Sequence, residues 1–144
     1  MGHKNQAPIT LNWQSLDPRT GFLPLNNNSF GKGSPPSGVA AGSMAGTAIL
    51  YSQVVDVSRM DTLGLELDWS GAPVGVLSIL GSVSGANWFD VTANFAPAIS
   101  NPSGSNTGTF GGYKQYEYKY VLVRYTNASG AGSLTGYLQV KDLN

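Results

Sequence analysis

From Met60 to Thr92 the chain reads MDTLGLELDWSGAPVGVLSILGSVSGANWFDVT. Leu63, Leu65, Leu67 and Trp69 share one parity there, while Gly64, Glu66 and Asp68 occupy the other. Successive strand side chains point to opposite faces, so this period of two is the mark of a half-buried strand. Ser70-Gly71-Ala72-Pro73 interrupts it, because proline lacks a backbone donor and glycine permits turn conformations. Val74 to Val83 reads as a second strand with Leu77, Ile79 and Gly81 on one face. After the turn residues Ser84-Gly85-Ala86-Asn87, Trp88 to Thr92 reads as a short third one. With no helical period between them, the three strands are expected to form an antiparallel meander.

The flanking sequence extends this pattern. Ala48 to Val57 is expected as a strand with Ile49, Tyr51, Val55 and Val57 as core candidates. Tyr116 to Thr126, YEYKYVLVRYT, is aromatic and β-branched nearly throughout. A loop at Asn127 to Gly132 then suggests a hairpin to Ser133–Lys141, with Leu134, Leu138 and Val140 inward and Thr135, Tyr137, Gln139 and Lys141 outward. Between them, Asn94 to Tyr113 is long for a plain connection, carries Phe95, Ile99 and Phe110 as isolated anchors, and is expected to be a contact loop. The fold class is therefore all-β: an antiparallel β-sandwich, jelly-roll-like, over residues 47–144, with little room for a deep ligand cavity. Residues 1–46 hold no period and read as an extended N-terminal arm. Its apolar islands, Ile9, Leu11 and Trp13 and then Phe22, Leu23 and Leu25, are candidate interface residues toward another subunit or a partner; the first three alternate with Thr10 and Asn12, so that piece could also add as a strand to a sheet, its own or a neighbour's. The stretch Gly31 to Gly46 is rich in Gly, Ser, Pro and Ala and buries too little apolar surface to offset its ordering entropy.

Charge and residue inventory exclude several functions. Eight basic residues balance eight acidic ones and only 11% of the chain is charged, against roughly 25% in an average soluble domain. A nucleic-acid surface would need a basic excess, so no nucleic-acid partner is expected. Few repelling charges favour life inside an assembly. Without cysteine there is no disulfide, thiolate metal site or cysteine nucleophile. No secretory signal is evident and no run nears the ~18 apolar residues of a membrane span, so a soluble product made in the cytosol without a membrane partner is expected. The myristoylation pattern is incomplete, with Gln6 at the position that wants Ser or Thr. His3 is the sole histidine and has no evident metal or base partner. Asp56, Asp61, Glu66, Asp68 and Asp90 invite a glycosidase or calcium reading. Glu66 and Asp68, however, lie opposite the apolar strand face, and no calcium loop is present. Gly81-Ser82-Val83-Ser84-Gly85 has valine where a nucleophile elbow needs serine. The triplets at Asn27 and Asn127 match the glycosylation pattern only by type. No catalytic residue, metal ligand or cofactor site is assigned, and an enzyme is not expected. Of three tryptophans, Trp69 and Trp88 fit core or sandwich-end plugs. Tyr116, Tyr118, Tyr120 and Tyr137 share the outward parity of the last two strands and form a candidate contact face, suited to a subunit interface or a glycan.

Three spacings stand out together: W-x-G-x-P-x-G from Trp69, S-x-x-G-x-N-W from Ser82 and K-Y-V-x-V-x-Y from Lys119, the last followed by a Gly/Ser turn. Over roughly Ser52 to Lys141 this resembles the β-sandwich modules of tailed-bacteriophage virion proteins, particularly capsid decoration proteins and head or tail fibre bases. Such modules often carry an acidic turn before the N-W pair; Ser84-Gly85-Ala86 stands there in this chain. The resemblance implies a non-enzymatic capsid decoration or head-surface protein, a late protein located on the virion. It would form a homo-oligomer, trimer before dimer, and bind the major capsid protein or another virion protein through arm and loops. The alternative is a carbohydrate-binding module using the tyrosine-rich face.

Overall fold

The computed structural model describes residues 4–5, 8–20, 39–57, 62–104 and 107–142. His3, Asp61, Phe22, Leu23, Leu25 and the Asn27 triplet lie outside them. Among the described residues twelve strands build two antiparallel sheets that pack face to face as an all-β sandwich: β1 Lys4–Asn5, β2 Ile9–Thr10, β3 Trp13–Gln14, β4 Gly42–Ala45, β5 Ile49–Ser52, β6 Val55–Asp56, β7 Thr62–Trp69, β8 Val74–Ser82, β9 Phe89–Asp90, β10 Gly108–Lys114, β11 Tyr120–Ser129 and β12 Ala131–Asp142. The first sheet runs β12-β7-β10, with β1, β2 and β4 along the free side of β12. The second runs β3-β5-β11-β8-β9, with β6 also on β11.

The alternation read in the sequence decides what lies between the layers. Leu63, Leu65, Leu67 and Trp69 face Leu77, Ile79, Val121, Val123 and Tyr125 in one core cluster, joined by Leu134, Leu138 and Val140. Of the meander only the second half is formed, β8 pairing with β9 at Leu80↔Asp90 and Gly81↔Phe89, and the final hairpin is not formed. β7 and β8 lie in different sheets, as do β11 and β12. β7 pairs instead with β12, from Leu134↔Trp69 to Lys141↔Thr62, and β8 with β11. The reason lies in the two connections, which are corners that cross from one sheet to the other and dock on each other. Ser70 N donates to Ser133 O at 3.0 Å and Ala72 N to Ala131 O at 3.1 Å. Gly71 and Gly130 hold φ of +78° and +72°, and a Cβ on either would strike the opposing backbone carbonyl. Only glycine combines that dihedral with that approach.

Ile49 also departs from the expected parity: it is 40% exposed, while Leu50 is buried. Gln53 and Val54 interrupt the run between β5 and β6, so that Val55 and Val57 return to the core. Val54 instead joins Leu80, Tyr120 and Leu122 in a second, smaller cluster, with Tyr51 and Trp88 packed against it.

Two straps close the open sides of the sandwich. On one side the N-terminal segment pairs with β12 at Ile9–Thr10 and with β5 at Trp13–Gln14, stepping between sheets at Leu11-Asn12. Gln53 fixes that step: its Oε1 accepts from Asn12 N at 2.9 Å and its Nε2 donates to Thr10 O at 3.0 Å. On the other side, residues 91–102 run along β8 and β10. Thr92 Oγ1 accepts from Ile79 N, Asn101 Oδ1 accepts from Leu77 N, and Pro102 O accepts from Gly75 N. Ala96 and Gly112 exchange backbone bonds across the gap. The segment expected as a contact loop thus satisfies edge donors that would otherwise template further strand pairing, and its last part is β10 itself.

Candidate functional site

The arm residues divide. Leu11 is 1% exposed and Trp13 is 2% exposed, both inside the core cluster, and Ile9 packs partly buried against it. They are core residues of their own chain rather than free interface side chains, because the gap between the sheet edges is filled by them. Strands β1 to β4 belong to the same two sheets as the rest, so no structural boundary falls at residue 46 among the described residues. Phe22, Leu23 and Leu25 lie outside those residues.

The tyrosine face is not formed. Residues 116–119 precede β11 instead of continuing it, and the chain turns inward there. Tyr116 is buried; its hydroxyl donates to Tyr120 O at 2.6 Å, and burial pushes its ionisation far above the ordinary phenol range. Its ring meets Tyr113 edge-on at 4.9 Å and Tyr118 at 5.2 Å, and Tyr113 meets Phe95 at 5.3 Å. This run of rings plugs the end of the sandwich. Tyr120 is buried on the far side of the sheet in the smaller cluster. Of the four, Tyr137 alone is exposed, at 40%.

The loop that carries S-x-x-G-x-N-W is closed on itself. Ser82 Oγ accepts from Gly85 N at 2.8 Å, Ser84 Oγ accepts from Ala86 N and Asn87 N, and Trp88 Nε1 donates to Gly85 O at 3.0 Å. Its hydroxyls serve the backbone, which accounts for their spacing without any reaction. Asp90 is likewise a turn residue. Its carboxylate accepts from Thr92 N and Oγ1, and these bonds hold it below the usual carboxylate range. Among the described residues no group of three or more His, Asp or Glu side chains could hold a metal. No helix there is long and apolar enough to cross a membrane.

No family model matches this chain, and no curated protein does. Solved structures resemble it loosely, two of phage origin among them. The SPBc2 prophage-derived protein YomS has a TM-score of 0.47 at 10% identity, over 69% of this chain and 90% of that one. The enzymatically active domain of tailspike protein 4 of bacteriophage CBA120 has a TM-score of 0.44 at 12% identity, over 99% of this chain and 19% of that one. Likeness at this level carries no argument about function, which rests on the surfaces themselves.

Three surfaces stand out. The outer face of the β5-β11-β8 sheet carries a cross-strand row without charge: Ile49 opposes Thr126, which opposes Val76, with Val74 beside it. Ile49, Val74 and Val76 are 40%, 39% and 53% exposed. The outer face of the β12-β7-β10 sheet carries a second row, in which Glu66 stands between Phe110 and Tyr137. A hydrogen bond with Asp68 and that neighbour's charge raise Glu66 above its ordinary value. The third is an open cleft of about 510 Å³ between the Asp17–Arg19 segment and Asn87–Phe89. There Arg19 Nε and Nη2 grip the Asp17 carboxylate at 2.9 and 2.6 Å. Partial burial would push Asp17 up, but the bonds and charge of Arg19 outweigh it and hold the carboxyl below its usual value. Sequence reasoning missed the row from Ile49 to Val76 because it assigned Ile49 inward, and it named Phe110 only as an isolated anchor in a contact loop because the neighbouring glycines conceal the alternation of β10. The exposure of Val76 was signalled by its parity opposite Leu77 and Ile79.

Proposed function

We propose that this protein is a non-enzymatic structural component of a tailed-bacteriophage virion, a decoration or head-surface protein that works by contact and assembles with its own copies. The observation that carries the reading is the uncharged row of Ile49, Thr126, Val76 and Val74, a sheet face that a chain with so few charges leaves in water unless another surface covers it. The three spaced motifs support the same reading, since each serves the scaffold by docking corners, closing a loop or filling the core. The assembling surface is accordingly the sheet face rather than Leu11 and Trp13. Antibody against the purified chain should label the surface of virions from the phage that encodes it, as seen by immunogold microscopy. Particles without label, or hydrolytic turnover that copurifies with the chain, would overturn the proposal.

A further inference from the structure

We propose that the outer face of the β12-β7-β10 sheet binds a neutral polysaccharide, with Phe110 and Tyr137 as stacking rings, and with Glu66 between them and Asp68 one row along β7 as hydrogen-bond acceptors. Phe110 and Tyr137 both oppose Glu66, one from each neighbouring strand, so their Cα atoms stand two strand spacings apart, roughly 10 Å. The rings are 54% and 40% exposed. Phe110 lies over Gly64: a Cβ built there would sit 3.5 Å from its Cε1, in ordinary contact, so the ring rests against the sheet and any larger side chain at that position would meet it. Gly108 and Gly112, on the same side of β10, add no side chain to obstruct a flat ligand. A sugar ring offers a C–H face and a rim of hydroxyls, the two features that an aromatic ring and a carboxylate recognise.

The charges select among occupants. Glu66 between the rings and Asp68 in the next row disfavour an acidic polymer there, while Lys114 and Lys141 stand two rows away on the same face, both opposite Thr62, and a second copy stacked face to face would bring Glu66 against its counterpart. A protein interface core is depleted in such residues. The site is independent of the virion assignment, because the isolated chain is sufficient to test it.

The test is affinity electrophoresis of the full chain in gels containing hydroxyethylcellulose, xylan, galactomannan or dextran, with alginate as the acidic control. Retardation is expected in at least one neutral gel, weakened about tenfold by Phe110→Ala and by Tyr137→Ala. Gly64→Leu, which displaces the Phe110 ring, should weaken it similarly, whereas Val83→Ser, in the exposed loop after β8, should leave it unchanged. Thermal melts of each variant separate lost binding from lost folding, and Phe110→Tyr, which keeps a ring, should retain binding. The proposal is overturned by free migration in all four neutral gels, by retardation that survives loss of both rings, or by alginate retarding as strongly.

Discussion

Gly75 and Tyr125 show how single residues hold the sandwich together. A Cβ on Gly75 would strike the Tyr125 hydroxyl and Thr126 O. The glycine of one motif therefore makes room for the tyrosine of another. Tyr125 in turn donates to Asn127 Oδ1 at 2.6 Å, and Asn127 Nδ2 reaches back to Gly46 O at 2.9 Å. Gly75→Ala is expected to lower stability by about 2 kcal/mol in urea titrations, since the ring and backbone must both shift. Tyr116 and Tyr125 also set the alkaline limit. Burial raises both above the ordinary value of 10.0. A folded pKa above the unfolded one means that this contribution is complete below pH 10 and is lost as pH rises beyond it. Tyrosinate absorbance should therefore show these two phenols ionising only with unfolding.

At the scale of elements, the N-terminal strap is a structural member. Trp13 is nearly wholly buried and packs over Gly42 and Gly136. Trp13→Ala is expected to cost about 3–5 kcal/mol, measured by chemical denaturation. Deleting residues 1–14 removes Leu11 as well and exposes the edges of β12 and β5, so no cooperative transition should remain. A folded, cooperatively melting deletion variant would show that the strap is dispensable. β12 is the corresponding member at the other end, paired along eight residues of β7 and flanked by three short strands. Truncation before Leu138 should likewise leave the chain unfolded, because Leu138 and Val140 are core residues.

At the scale of the whole molecule, both open sides of the sandwich are sealed by straps, and large exposed apolar side chains lie on its outer faces. The molecule presents two sheet faces of different character, one with the apolar row Ile49-Thr126-Val76 beside Arg124, the other with Phe110 and Tyr137 around Glu66 and with Lys114 and Lys141 further along. If the apolar face mediates assembly, Ile49→Lys and Val76→Lys together should convert a multimer to monomer in light-scattering mass measurements, without changing the melting temperature by more than a few degrees. A wild-type chain that is monomeric at high concentration would remove this face from the assembly.

The sequence by itself determined the long strands β7, β8 and β12 and which side of each is buried, because the alternation of Leu63 to Trp69, of Leu77 and Ile79, and of Leu134 to Val140 is a local property of the backbone; β4, β10 and the outward side of Ile49 were not legible there. Only the tertiary structure decided strand partners. A corner at Gly71 or Gly130 has the same turn chemistry as a hairpin, and docking of one corner on the other is a contact between segments far apart in the chain. The same non-local geometry drew Leu11, Trp13, Tyr116 and Tyr120 inside and left Phe110 and Val76 in water. Local patterning says how a side chain points relative to its strand, but not what the neighbouring sheet has already covered.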